Sequence, residues 1–127
     1  MKNNEIKMYK IDANKNIAIC EDTIEWAKFF ETQNRRVART TYAGFEISTV
    51  FLALDHNFGE TNDQRPILFE TIVFDKFGRE IPKFTKRYCT WDEAENGHKQ
   101  TESVVKNSTI KFWGESLWML LKRAFSL

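Results

Sequence analysis

Four side chains in the middle of the sequence, two carboxylates and two histidines, have the chemistry of metal ligands and proton-transfer groups. Asp55 and His56 are neighbours where an apolar strand is predicted to meet a polar loop, a common place for functional side chains. Glu70 interrupts an apolar row in the next strand, and His98 lies on the apolar stripe of a predicted helix. If folding brought Asp55, His56, Glu70 and His98 together, they would form the site of a small metal-dependent hydrolase or nuclease.

Each of these residues also has a structural interpretation, and we favour it. Asp55 would cap a turn by accepting hydrogen bonds from backbone amides, beside a solvated His56. Glu70 would form an ion pair with Arg87 on the following strand, because an unpaired buried carboxylate is costly. His98 would be a packed histidine with a backbone or carboxylate partner. Since the spacing is far less specific than a His-Glu-x-x-His motif, we assign no catalytic residue, metal or cofactor.

The elements that would position these residues follow from apolar alternation and from helix-capping signals. Asp22 and Thr90 each stand three residues before a glutamate, which predicts a helix start at both places. Six strands are predicted, at 8–11, 17–20, 36–42, 45–54, 67–74 and 84–89. The sequence therefore predicts an α+β fold, a mainly antiparallel sheet of four to six strands with two or three packed helices.

The length and composition are those of one folded domain. The chain has 127 residues, of which 42% are hydrophobic and 29% charged. We predict a single domain over 1–127, in which 1–108 is the core and 109–127 an amphipathic C-terminal helix. The polar run 107–109 is predicted to end or interrupt the helix that begins at Trp91. The net charge of +1 provides no global field that would favour nucleic acid.

The cysteine count and the hydropathy indicate where the chain functions. Two cysteines, Cys20 and Cys89, are too few for a disulfide framework or a zinc site. Residues 1–7 lack the apolar core of a signal peptide, and no apolar run reaches membrane-spanning length. We therefore expect a reduced, cytoplasmic protein without membrane association.

Three longer motifs follow one another along the chain. They read STVFLALDHNFG at 48–59, PILFETIVF at 66–74 and RYCTWDEAENGH at 87–98. In these motifs, and over about 8–98, the sequence resembles a family of small, largely uncharacterised proteins encoded by bacteriophages and prophages. The resemblance implies a genomic setting rather than an activity, so it supplies no catalytic residues.

The resemblance and the lack of a catalytic motif lead to one functional expectation. We predict an accessory protein of a phage or prophage that binds another macromolecule in the host cytoplasm, for example to inhibit a host defence or a host enzyme. A host protein is a better partner than nucleic acid, and the chain would act as a monomer or a homodimer. The candidate partner-binding residues are Asp55, His56, Phe58, Arg87, Trp113 and Trp118.

Overall fold

The elements of the fold are given by a computed structural model, which describes residues 6–59 and 62–124, the segment 110–124 through its backbone alone. The bounds are β1 (Tyr9–Ile11), β2 (Ile17–Ile19), α1 (Thr23–Thr32), β3 (Arg36–Tyr42), β4 (Phe45–Phe51), β5 (Phe69–Phe74), β6 (Lys86–Tyr88) and α2 (Trp91–Ala124). Strands β1 and β2 form an antiparallel hairpin, and β3-β4-β5-β6 form an antiparallel sheet in that order. The predicted α+β fold with a mainly antiparallel sheet is confirmed.

Both helices begin where the capping signals predict. The carboxylate of Asp22 accepts hydrogen bonds from the backbone amides of Ile24 and Glu25, at 2.9 and 3.1 Å. The hydroxyl of Thr90 accepts the amide of Glu93 and donates to the carboxylate of the same residue, both at 3.1 Å. Because each cap satisfies amides that have no partner within the helix, these short patterns fix the helix starts locally.

The β3–β4 hairpin turns through two residues, Ala43 and Gly44, whose φ angles are 50° and 87°. Positive φ at both positions gives the turn whose twist matches that of the paired strands. Strand β4 ends at Phe51, earlier than predicted, because Ala53 has a φ of 65° and Leu54 pairs instead with Met8. The last strand is also shorter than predicted, since a 3-10 turn at Pro82–Phe84 takes up its first residue.

One face of the four-stranded sheet is buried beneath α2, α1 and the β1–β2 hairpin. Alternate residues of the two central strands lie on this face and are fully buried: Ile47, Thr49, Phe51, Phe69, Thr71 and Val73. From α2, Ala94 and Val105 pack against this row, and from α1 the ring of Phe29 meets Phe51 at 6.2 Å. The core therefore lies between this side of the sheet and the layer formed by α1, α2 and the β1–β2 hairpin.

The opposite face of the sheet carries no helix or strand in the part of the chain that the structure describes. An apolar run such as 50–54 is typical of a strand covered on both sides, but β4 is covered on one side only in the described part of the chain. Only Val50 of that run lies on the second face within the strand, because β4 ends at Phe51. Val50, Ile72 and Phe74 remain partly exposed there.

Helix α2 continues without a break through 107–109, so the predicted end or interruption there is wrong. The hydroxyls of Thr101 and Thr109 donate to backbone carbonyls one turn earlier, at 2.8 and 2.9 Å, which lets the helix accommodate them. At 1.5 Å per residue, the segment 110–124 extends the helix by about 22 Å. The predicted partner contacts Trp113 and Trp118 lie outside the described side chains. Of the described helices, none is long and apolar enough to cross a bilayer.

Candidate functional site

Asp55 ties the two ends of the loop 55–67 together. Its Oδ1 atom accepts hydrogen bonds from the backbone amides of Asn57 and Ile67, at 2.8 and 3.0 Å. The amide of His56 also donates to the carbonyl of Ile67, at 2.9 Å. The structural interpretation of Asp55 as a turn cap is thereby confirmed.

Asn57 and Arg65 hold the rest of this loop, and sequence reasoning missed both. The side-chain amide of Asn57 donates to the carbonyls of Asp63 and Arg65, at 2.7 and 2.8 Å. The guanidinium of Arg65 bonds the carboxylate of Asp63 and also that of Glu93, at 3.0 Å, at the start of α2. Hydrogen bonds from Arg65 lower the pKa of Asp63 to about 2. An asparagine two residues before Gly59 in a polar loop was the available signal.

The side chains of His56 and Phe58 in this loop remain accessible to a partner. His56 Nδ1 lies 2.8 Å from the carbonyl oxygen of Leu54, so this nitrogen carries a proton and donates the hydrogen bond. The ring of Phe58 lies 6.0 Å from that of His56 and is 61% exposed. An exposed aromatic side chain beside a loop that is braced by hydrogen bonds has the character of a protein contact.

Glu70 and Arg87 form the predicted ion pair. Their strands place them directly opposite each other, and Arg87 Nε lies 2.8 Å from Glu70 Oε2. The Glu70 side chain is 12% exposed while that of Arg87 is 46% exposed, so the arginine lies over the carboxylate. The prediction of a mostly buried, paired Glu70 is confirmed.

His98 is buried between α2 and the sheet and bonds to threonine hydroxyls. Its Nδ1 lies 2.7 Å from Thr49 Oγ1 and its Nε2 lies 2.9 Å from Thr40 Oγ1, while Thr49 bonds Thr71 at 2.6 Å. The carboxylate of Glu102 is 3.4 Å from Nε2. Burial lowers the pKa of His98, against the opposing effect of Glu102. The prediction of a packed histidine is confirmed, although its closest partners are hydroxyls rather than a backbone group or a carboxylate.

The four side chains of the metal-dependent alternative do not converge. Glu70 lies on the uncovered face of the sheet, whereas His98 lies on the covered face. Among the described residues, no group of three or more histidine, cysteine, aspartate or glutamate side chains could hold a metal ion. Cys89 is partly buried, and burial raises the pKa of its thiol, which makes it a weaker nucleophile at neutral pH.

The uncovered side of the sheet is a further candidate binding surface. We call it the open sheet face and define it by Arg36, Arg39, Glu46, Val50, Glu70, Ile72, Phe74 and Arg87. Its apolar residues lie on the two central strands. Its edges carry two ion pairs, Arg39–Glu46 at 2.7 Å and Arg87–Glu70 at 2.8 Å.

A bulge in β3 places Arg36 and Arg39 together on this face. The pairing of β3 with β4 shifts between Arg36 and Ala38, so Val37 is an extra residue. Arg36 lies opposite Val50 and Arg39 opposite Ser48, on the same side of the sheet. Strict alternation would have placed Arg36 and Arg39 on opposite faces. The sequence identified Arg87 of this face but could not show that these two residues join it.

Comparison of the chain with protein-family models, with curated proteins and with solved structures gives no match. We therefore identify the candidate surfaces from the geometry of this chain alone.

Proposed function

We propose that this chain is an accessory protein of a bacteriophage or prophage that binds a host protein in the host cytoplasm through the open sheet face. Such binding would inhibit a host defence or a host enzyme. The phage setting comes from the sequence resemblance. The observation that carries the binding role is a sheet face on which no helix of the described residues packs, with apolar residues on its two central strands.

The arrangement of residues on the open sheet face is that of a protein interface. Stable interfaces have an apolar centre inside a polar rim and are enriched in aromatic residues and arginine. Here Val50, Ile72 and Phe74 are central, and Arg39 and Arg87 stand on the flanking strands. With strands about 4.8 Å apart and about 3.4 Å per residue, the 23 residues of the four strands give the face an area of roughly 380 Å². Since a typical partner covers about 800 Å², the complex would extend to neighbouring surfaces.

The charges of this face favour protein over nucleic acid. Nucleic-acid affinity depends on arginines and lysines that are available to phosphates. Arg39 and Arg87 are already paired with the carboxylates of Glu46 and Glu70. Arg36 has no carboxylate partner in the described part of the chain. A mosaic of paired charges around an apolar centre is better matched by another protein.

Affinity capture with matched variants tests the proposal. The immobilised chain would be exposed to a lysate of phage-infected bacteria as wild type, as Ile72→Glu and as Val104→Glu. Val104 is the control because it is 45% exposed on α2, away from the open sheet face. We expect a specific host protein to be retained by wild type and Val104→Glu and lost by Ile72→Glu, with thermal melts showing that both variants fold. Retention by Ile72→Glu would contradict binding through this face.

A further inference from the structure

The outer edge of β3, which we call the β3 edge, is the longer of the two edges of the four-stranded sheet. Strand β3 has seven residues and pairs only with β4, while β6 at the opposite edge has three. No strand of the described residues lies against the outer side of β3. A strand edge of this kind presents backbone groups to which a strand of another chain can bond.

The hairpin turn between β3 and β4 determines which backbone groups of β3 point outward. Next to a two-residue turn, the flanking residues, here Tyr42 and Phe45, exchange both of their backbone hydrogen bonds. Because the direction of these groups alternates along a strand, Thr40 also bonds to β4. The N–H and C=O groups of Arg39 and Thr41 therefore point away from the sheet.

The second half of β3 lacks a bulge, a proline or a covering strand, which are common protections of a sheet edge. The bulge at Val37 disturbs the first half of β3, and the side chain of Asn34 accepts the amide of Arg36 at 3.0 Å. The segment 38–42 pairs with β4 without a shift in register and contains no proline. This segment can therefore pair with a further strand.

The charge of the β3 edge selects an acidic partner strand. Arg36 and Arg39 are exposed and lie on the side of the open sheet face. Arg39 bonds Glu46 through its Nε atom, so its terminal amino groups can bind a second carboxylate. Arg36 has no carboxylate partner among the described residues. Since opposite charges on adjacent strands stabilise their pairing, the preferred strand carries carboxylates on this side.

The same charge disfavours pairing between two copies of the chain. Residue 39 is at the centre of β3, so the antiparallel register that pairs two copies along the whole strand would place Arg39 directly opposite its equivalent. Like charges directly opposite each other are destabilising. The β3 edge is thus better matched by an acidic strand than by itself.

We infer that an extended acidic segment of a partner protein adds to the β3 edge as an additional antiparallel strand, with its carboxylates beside Arg36 and Arg39. Residues that exchange hydrogen bonds in an antiparallel pair have their side chains on the same face. The acidic residues would therefore be those whose own amides bond to Arg39 and Thr41. The inference rests on the proposed function, because a complex over the open sheet face has to extend to neighbouring surfaces and the β3 edge adjoins it.

Isothermal titration calorimetry of the full chain with synthetic peptides tests the inference. The probe is a peptide of about seven residues, as long as β3, with blocked ends and with glutamate alternating with valine. We expect it to bind at least about tenfold more tightly than the same peptide with lysine in place of glutamate. Arg36→Glu should weaken its binding by about tenfold or more. Lys83→Glu, which reverses an exposed charge in the turn before β6, should bind as wild type does.

Methylation of the peptide amides distinguishes strand addition from simple charge attraction, and it leaves the protein unchanged. Methyl groups on the glutamate amides should abolish binding, because these amides would face Arg39 and Thr41 and could no longer donate. Methyl groups on the valine amides point away from the β3 edge and should leave binding unchanged.

Three results would overturn the inference. One is that the glutamate peptide does not bind at millimolar concentration. Another is that the two methylated peptides bind equally well, which would mean that charge alone attracts them. The third is that light scattering shows a dimer of the chain that the peptide dissociates, which would mean that a second copy occupies the β3 edge. Either of the first two, together with a host protein that Ile72→Glu fails to retain, would refute strand addition and leave the proposed function intact.

Discussion

Replacing Gly97 by alanine would place a methyl group inside the ring of Tyr88. An ideal Cβ on Gly97 would lie 2.2 Å from the Cε1, Cζ and Oη atoms of Tyr88. Carbon atoms in contact are normally about 3.5–4.0 Å apart, so the ring would have to move by more than about 1 Å. Tyr88 packs against the core and its hydroxyl is buried, so the ring cannot simply turn into solvent.

Two opposing effects determine how much Gly97→Ala lowers the free energy of unfolding. Overpacking of a core costs about 1–3 kcal/mol, while glycine to alanine within a helix contributes about 1 kcal/mol of stabilisation. Since the overlap is severe, we take the upper part of the first range and expect a net loss of about 1–2 kcal/mol. For a domain of this size the melting temperature should fall by about 3–8 °C.

A double-mutant cycle in urea measures this contact directly. Gly97→Ala, Tyr88→Ala and the double variant are compared with wild type, and Asn96→Ala serves as a control on the exposed side of α2. In the Tyr88→Ala background the new methyl group meets open space, so Gly97→Ala should become stabilising by about 1 kcal/mol. If Gly97→Ala raised the free energy of unfolding in both backgrounds, the close approach of Tyr88 to α2 would be wrong.

Further predictions concern His98, the ion pair, metal and the C-terminal helix. Burial lowers the pKa of His98 below the ordinary value of 6.5. As the pH falls below 6.5 the unfolded chain therefore takes up this proton first, and stability is lost by up to about 1.4 kcal/mol per pH unit until the folded pKa is reached. Chemical denaturation across this range should give a flatter curve for His98→Gln than for wild type, and equal slopes would count against the prediction. Glu70→Ala should lower the free energy of unfolding by only about 1 kcal/mol, because Arg87 is half exposed and keeps its hydration; an unchanged urea midpoint would show that the pair contributes nothing. Excess EDTA should leave the melting temperature unchanged, and a fall reversed by a divalent ion would revive the metal-dependent alternative. Truncation after Ser108 should unfold or aggregate the chain, as judged by circular dichroism and light scattering, because it cuts α2 within the turn that packs beside Val105; a soluble, folded 1–108 fragment would refute this.

The sequence by itself determined the features that depend on neighbours along the chain. Asp22 and Thr90 fix two helix starts, because a capping side chain needs only the amides of the next three residues. The place of His98 on a buried helical stripe follows from periodicity. The pairing of Glu70 with Arg87 was predictable because consecutive strands pair antiparallel and an unpaired carboxylate in an apolar row is costly.

Tertiary structure decided which surfaces face solvent and which side chains meet across the fold. The hydropathy of β4 is compatible with cover on both sides, and only the packing of both helices on one side leaves Val50 and Ile72 on an open sheet face. The bulge at Val37 depends on how β3 pairs with β4, so no pattern within β3 indicates that Arg36 lies on this face. Likewise, Lys15 and Trp91 are far apart in the chain and meet only because the β1–β2 hairpin folds over the start of α2. Contacts of this kind are set by long-range packing, for which a single sequence carries no local signal.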